Sequence, residues 1–476
     1  MKRLFIWILC LLAAAACSQL EIKIEDKTPG QTDDPQQPQD PEDPEDPQDP
    51  QEPDTPDTLP FPEVFDPGVI PEIHVTVSQA EWDKLLQAFD RNHNTQEHVQ
   101  ANVRYVKGAE ETVIEGIGLR LKGNTSRRRP ENNGRLTHVH YGLDFHYYTR
   151  DKAHKLYGVT QVDLKWFKDD AAYVREIFCY DLFHRAGVWT AIQDVYARLW
   201  ITVGSRQEAY LGVYGMMEHI NDNFVRSRSG FGLGGGNLWK CRYGADLRDP
   251  NAYMGADDNR TDFTYELKTN KEQGFPAAKA QLQDFIRKLN SLQGEAFYTW
   301  ISSVMDVDLL LRTYAVNVAV GMWDDYWNNS NNYYLYFNTV DKTAYQVFFL
   351  PYDYDNTLGT SLQCGVQSDA GRHDPYRWGA DDRPLMTKVL QKPQWRAAYR
   401  QYLQELCTGD MEADAAIRRI QDWQESIRAY VSNDTGEDMT IKDRPAGWGN
   451  HGEYRLLERG GNNFFEVKAA AVAAMH

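Results

Sequence analysis

The stretch from Val307 to Gly359 limits most sharply what this chain can become. Between Val307 and Val320 apolar side chains fall on every face of a helix-length segment, which predicts a buried helix. Two strand-like runs follow, Tyr333 to Phe337 and Tyr345 to Leu350, joined by a short turn. Asp324, Asp325, Asn328, Asn329, Asn331 and Asn332 precede the first run, and Asp353 and Asp355 follow the second. A hairpin behind a buried helix thus sets acids and amides at one rim, the oxygen-rich arrangement that hard divalent cations take. A single D-x-D would serve equally as Asx-turn chemistry. Two such clusters one hairpin apart favour a site.

The same segments resemble the spore-coat protein H (CotH) kinase-like family. The match is carried by W-D-x-x-x-x-N-x-x-N-Y-Y-L-Y from Trp323 to Tyr336 and P-Y-D-Y-D-N-T-L-G from Pro351 to Gly359. L-R-L-K-G-N-T-S (Leu119 to Ser126), L-G-V-Y-G-M-M-E (Leu211 to Glu218) and G-N-L-W-K (Gly236 to Lys240) extend it in the family's order. The resemblance implies an α+β, atypical protein-kinase-like fold of two lobes, with a mixed or antiparallel sheet in the N-terminal part and a helical C-terminal part. It also implies an enzyme that uses ATP with Mg²⁺ or Mn²⁺ to phosphorylate a protein hydroxyl. Asp324 would then be the catalytic base, and Asn329, Asn332, Asp353 and Asp355 would hold the metal. Lys122, Asn124, Ser126 and Arg128 would surround the nucleotide phosphates, while Glu218, bordering the adenine pocket, and Lys240 complete the nucleotide-binding set.

Read without the family, Gly123 to Ser126 is a loop of small residues entering three arginines, fit either to approach phosphate closely or to make a polar turn. One departure matters. The family's K-K-x-Y-x-x-x-F strand is replaced by Thr137, His138, Val139 and His140. A kinase-like site needs a cation for the α and β phosphates, so either Lys122 or Lys165 substitutes or nucleotide binding is weakened or lost. Arg175 or Glu176, on a helix expected over Asp169 to Gly187, would face that cation.

The N-terminus, M-K-R, then L-F-I-W-I-L-C-L-L, then A-A-A-A-C, reads as a lipoprotein signal over residues 1–17, with Cys17 as the lipidated residue. This predicts a bacterial cell-envelope protein anchored through lipid at the outer membrane or cell surface. Residues 18–64, rich in D-P-E and D-P-Q, cannot build a core and read as a disordered, extended linker. No Lys or Arg falls between Lys27 and Lys84, so much of the formal net charge of −18 belongs to the linker. That balance speaks against nucleic acid, which needs a basic face. Cys179, Cys241, Cys364 and Cys407 fit no zinc spacing, which leaves one bridge or buried thiols.

Residues 65–476 then form the domain. Expected pairs are Val99 to Tyr105 with Val113 to Lys122, and Val195 to Val203 with Tyr210 to Glu218. Further helices are expected over Ser78 onward, Ala277 to Leu292, Leu385 to Leu390, Gln394 to Cys407 and Asp414 to Asn433. The rival reading is a non-catalytic surface lipoprotein that binds a glycan or protein on its 13 Trp and 27 Tyr, with a structural Ca²⁺ at Asp353, Asp355 and Asn356. An acid pair of a glycoside hydrolase at Asp324 and Asp353 is a third.

Overall fold

The computed structural model describes residues 59–149, 151, 154–232, 234–338, 345–360, 369–444 and 453–476. Cys17, the signal segment and most of the linker lie outside them. Ordered chain begins before residue 65: α1 (Pro62–Phe65) buries Val64 and Phe65, and Pro60 accepts a hydrogen bond from Gln193.

A seven-stranded closed barrel comes first. It is built from β1 (Glu72–Val77), β2 (Val99–Lys107), β3 (Glu110–Lys122), β6 (His140–Asp144), β7 (Gln161–Lys165), β8 (Asp194–Val203) and β9 (Ala209–Glu218). A two-stranded ribbon, β4 (Glu131–Asn132) and β5 (Arg135–Leu136), lies between β3 and β6 in sequence. Barrel neighbours run antiparallel except β1 and β8, whose parallel pairing, Glu72 opposite Arg198, closes the ring. Strand alternation explains the barrel: Ile73, Val75, Leu119, Leu121, Val162, Leu164 and Met216 fill one apolar core. Helix α2 (Gln79–Arg91) packs Trp82, Leu85 and Phe89 onto that core and is capped by Ser78, which accepts from Glu81 N–H at 3.2 Å.

Between β7 and β8 runs α3 (Arg175–Arg185), shorter than the expected Asp169–Gly187 span. Asp169 and Tyr173 are left-handed, and the Asp170 carboxylate accepts from Val174 and Arg175 N–H, so the helix starts only after that turn. The stretch that replaces the family's lysine-bearing strand is likewise interrupted: β5 ends at Leu136, Thr137 N–H donates to the Pro130 carbonyl, and β6 starts only at His140.

Beyond β9 come α4 (Asp222–Arg226) and a five-stranded sheet ordered β11 (Met254–Gly255), β12 (Tyr265–Leu267), β10 (Asn237–Cys241), β13 (Tyr333–Asn338), β14 (Gln346–Pro351). This sheet joins a second core with α5 (Lys271–Ser291), α6 (Gly294–Val304) and α7 (Val307–Ala319), to which Trp239, Leu335 and Phe349 contribute. Helix α7 is internal as expected, with every residue from Leu309 to Leu311 and Thr313 to Ala319 buried. Short α8 (Tyr326–Asn329) and α9 (Pro384–Val389) are followed by α10 (Pro393–Thr408), α11 (Ala413–Ile427) and α12 (Phe464–Ala473). Helix α10 lies along both α7 and α12. The C-terminal segment packs against these helices through buried Tyr454, Phe464 and Phe465. Cys179, Cys241 and Cys407 are buried free thiols, and Cys364 falls outside the described residues. No helix among the described residues is long and apolar enough to cross a membrane.

Candidate functional site

Strand β7 shows how the barrel contributes. In Q-V-D-L-K, Val162 and Leu164 enter the core, so Asp163 and Lys165 must stand on the opposite face. Lys165 Nζ reaches Glu176 on α3 at 2.7 Å, Asp355 at 3.2 Å and Asp353, with which it also forms an ion pair. Asp353 is left-handed (φ 65°) just past β14, and this turn fixes the loop: Asp353 N–H donates to Tyr180 Oη and Tyr354 N–H donates to Glu176 Oε1. Of the two helix charges, Glu176 faces the lysine. Arg175 is wholly buried, paired with Asp170 and donating to the Thr357 carbonyl.

Burial works against the charged form of Lys165; the three carboxylates outweigh it and hold the ammonium well above its usual value. Burial pushes Glu176 well up against the pull of Lys165, and raises Asp355 with help from the Asp353 charge. About a third of the Asp353 and Asp355 side chains stays exposed (35% and 32%), so solvent moderates their shifts. The balance is simple: one ammonium faces three carboxylates. The trio must keep a proton or take up a cation. Its ligand oxygens lie within 4.8 Å of one another, and an all-oxygen, charge-excess set suits Mg²⁺, Mn²⁺ or Ca²⁺.

Asp324 lies in the same neighbourhood. The Asp353 charge raises Asp324, and Asp324 in turn raises Asp355. Burial is the main cause that lifts Asp324 to about 6, opposed by three amides that donate to its carboxylate: Asn329, Asn331 at 3.2 Å and Asn332 at 2.9 Å. An amide that donates through Nδ2 keeps Oδ1 as an oxygen for a cation. Asp325 does different work, capping α8 by accepting from Asn328 N–H at 2.7 Å and from the Asn317 amide at 2.6 Å.

The other nucleotide-site expectations find varied partners. Lys122 is paired with Asp163, and burial still lowers it to about 8. Asp163 also accepts from His219 at 2.8 Å. Asn124 is exposed in a turn whose carbonyl accepts from Arg127 N–H; Ser126 is half-buried there. Arg128 stacks 4.5 Å from the Trp166 ring centroid and pairs with Glu437, and Glu218 is locked in a buried pair with Arg228 at 2.6 Å. Lys240 shares a sheet face with Tyr334, 5.0 Å from the Tyr352 and 5.8 Å from the Tyr334 ring centroids; burial and nearby Arg242 lower it to about 7. His140 accepts from Trp166 N–H and burial pushes it down to about 3, so it stays neutral and supplies no cation. Asp163 and His219 are residues that motif reading missed; the polar alternation of Q-V-D-L-K was the signal for Asp163.

A lysine paired to a helix glutamate, strand-end acids and an acid–amide loop together define an α+β protein with an oxygen-rich, lysine-bearing cluster. The family model described as CotH kinase protein matches residues 119–457, and the chain belongs to that family. Inner spore coat protein H of Bacillus subtilis is 22% identical over 279 residues, which cover 58% of this chain and 70% of that relative. The family match takes in every site residue named above.

Proposed function

We propose that the chain is a metal-dependent phosphotransferase of the CotH kind that moves the γ-phosphoryl group of ATP to a protein hydroxyl. The observation that carries this is the Lys165–Glu176 pair set against Asp353 and Asp355. Along the chain come a strand lysine, a helix glutamate, a hairpin, then Asp324 with Asn329 five residues on, then Asp353; this is the order of parts in protein kinases. Lys165 thereby answers the absent lysine pair at 137–140.

In this reading Glu176 orients Lys165 toward phosphate oxygens, and Asp353 and Asp355 hold the cation with Asn329 and Asn332 beside them. A bound divalent cation would neutralise phosphate charge. Asp324, lifted to about 6, is suited to accept a hydroxyl proton near neutral pH. The name of the Bacillus relative supports a place at a cell surface or coat, and Cys17 would tether the chain there; fatty-acid labelling lost in Cys17→Ser tests the tether.

The activity is tested with the full chain, Mn²⁺ or Mg²⁺, γ-labelled ATP and casein or the chain itself as acceptor. Label transfer that Asp353→Ala and Asp324→Ala abolish supports the reading. A thermal shift with Ca²⁺ alone, indifferent to ATP, would instead favour the glycan- or protein-binding surface protein.

A further inference from the structure

The cluster next to Lys165 has no role in phosphate or metal chemistry as described, yet it is built like a ligand site. Asp163 stands two residues from Lys165 on the same face of β7, roughly 7 Å along the strand. Its side chain is 8% exposed, and its two oxygens differ. Oδ2 takes both the Lys122 ammonium and His219; Oδ1 is buried with no hydrogen-bond partner among the described residues. A buried carboxylate oxygen left without a donor is costly and uncommon. Opposite Asp163 in the β6–β7 register sits Gly142, where a Cβ would come within 3.1 Å of Lys122 Cδ; the bare glycine lets the lysine stem lie across to the carboxylate.

His219 follows β9 directly, and its tautomer is set by geometry. Its Nδ1 lies 2.8 Å from Asp163 Oδ2 and 3.4 Å from Lys122 Nζ. Only a ring N–H satisfies a carboxylate at the shorter distance, so Nδ1 carries the proton and Nε2 is left as an acceptor. Burial pushes the imidazole down to about 4, which keeps it neutral. The cluster therefore offers two acceptors, Asp163 Oδ1 and His219 Nε2.

We propose that Asp163 and His219 form an acceptor subsite that reads the hydrogen-bond donors of the nucleoside half of the nucleotide, with Lys122 as the cation that keeps Asp163 ionised. This rests on the phosphotransferase reading, in which Lys165 marks the phosphates one step along β7. Donors of that kind are the ribose hydroxyls and the exocyclic amine of adenine.

Calorimetric titration of the full chain with Mn²⁺ and four ligands (ATP, 2′-deoxy-ATP, inosine triphosphate and tripolyphosphate) decides it. The expectation is that ATP binds at least tenfold tighter than tripolyphosphate. In His219→Leu and Asp163→Asn that excess falls below threefold while tripolyphosphate affinity stays within threefold of wild type, which also certifies the fold. His219→Gln, which restores an acceptor, recovers at least half of the excess on a logarithmic scale. Weakened 2′-deoxy-ATP alone assigns the subsite to ribose, and weakened inosine triphosphate alone assigns it to the base. If wild type binds tripolyphosphate and ATP equally, or the variants keep the full excess, the subsite is overturned and the phosphate reading stands. If wild type binds neither ligand, the phosphotransferase reading falls and takes the subsite with it.

Discussion

Lys165 on β7 and Glu176 on α3 meet at 2.7 Å, where Asp353 and Asp355 crowd the same ammonium. The pair ties the barrel to the helix beside it and ties both to the loop after β14. Removing the lysine leaves three carboxylates facing one another. Lys165→Met should lose about 3–5 kcal/mol of stability, the range for breaking a buried ion pair. Millimolar Mg²⁺ or Ca²⁺ should restore most of that loss in the variant and stabilise wild type less. Thermal unfolding with and without metal reads both effects; a variant insensitive to metal would remove the acid trio as a cation site.

Neighbouring aspartates should behave oppositely. Asp324→Asn, which keeps the side-chain shape, removes the proposed proton acceptor, and transfer should fall by about 10²–10⁴-fold with a smaller change in melting temperature than its neighbour shows. Asp325→Ala removes the cap of α8 and strands the Asn317 amide, at a cost of about 1–3 kcal/mol. Transfer activity beside urea unfolding of the two variants separates the roles.

The contrast between these two residues shows how far the sequence carries. Hydrophobic periodicity located α7, both strands of the β13–β14 hairpin and the β8–β9 hairpin, because each has a clear apolar pattern. It could not say which of Asp324 and Asp325 caps a helix, since both precede an amide-rich turn. Lys122 and Lys165 were both open as substitutes for the missing lysine pair, and Arg175 and Glu176 as its partner; that Lys165 meets Glu176 while Arg175 turns to Asp170 follows only from the β7 register and the late start of α3. Closure of the barrel rests on β1 pairing with β8, more than 110 residues apart, from Val77 to Asp194. No local pattern encodes that pairing. Glu218 could be placed at a strand end from sequence, but its partner Arg228 lies across a turn that periodicity does not resolve.

Cation binding should depend on pH with a fixed sign. Asp324 is raised from 3.8 to about 6 in the folded chain, mainly by burial. The folded state therefore holds this proton more tightly than the unfolded state. Its contribution to stability is fully present below about pH 4 and is lost as pH rises through about 6. Without metal, stability should decline over that window, and Asp324→Asn should flatten the decline. With Mn²⁺ the trend should reverse, because ionised carboxylates bind the cation and release protons. Melting curves from pH 4 to pH 8, with and without Mn²⁺, check the slope and its change of sign.

The Glu218–Arg228 pair should prove structural. Both side chains are almost wholly buried (3% and 2% exposed), and Arg228 also donates to the Trp189 and Ala191 carbonyls. Arg228→Ala abandons a charged carboxylate inside the second core and should cost about 3–5 kcal/mol. Because Glu218 is buried at a strand end and holds Gln193 N–H, the variant that still folds should bind Mn²⁺–ATP within twofold of wild type. Urea midpoints and nucleotide titration below the transition read the two quantities separately. A large loss of affinity with unchanged stability would return Glu218 to the rim of the base pocket, where the family resemblance had put it.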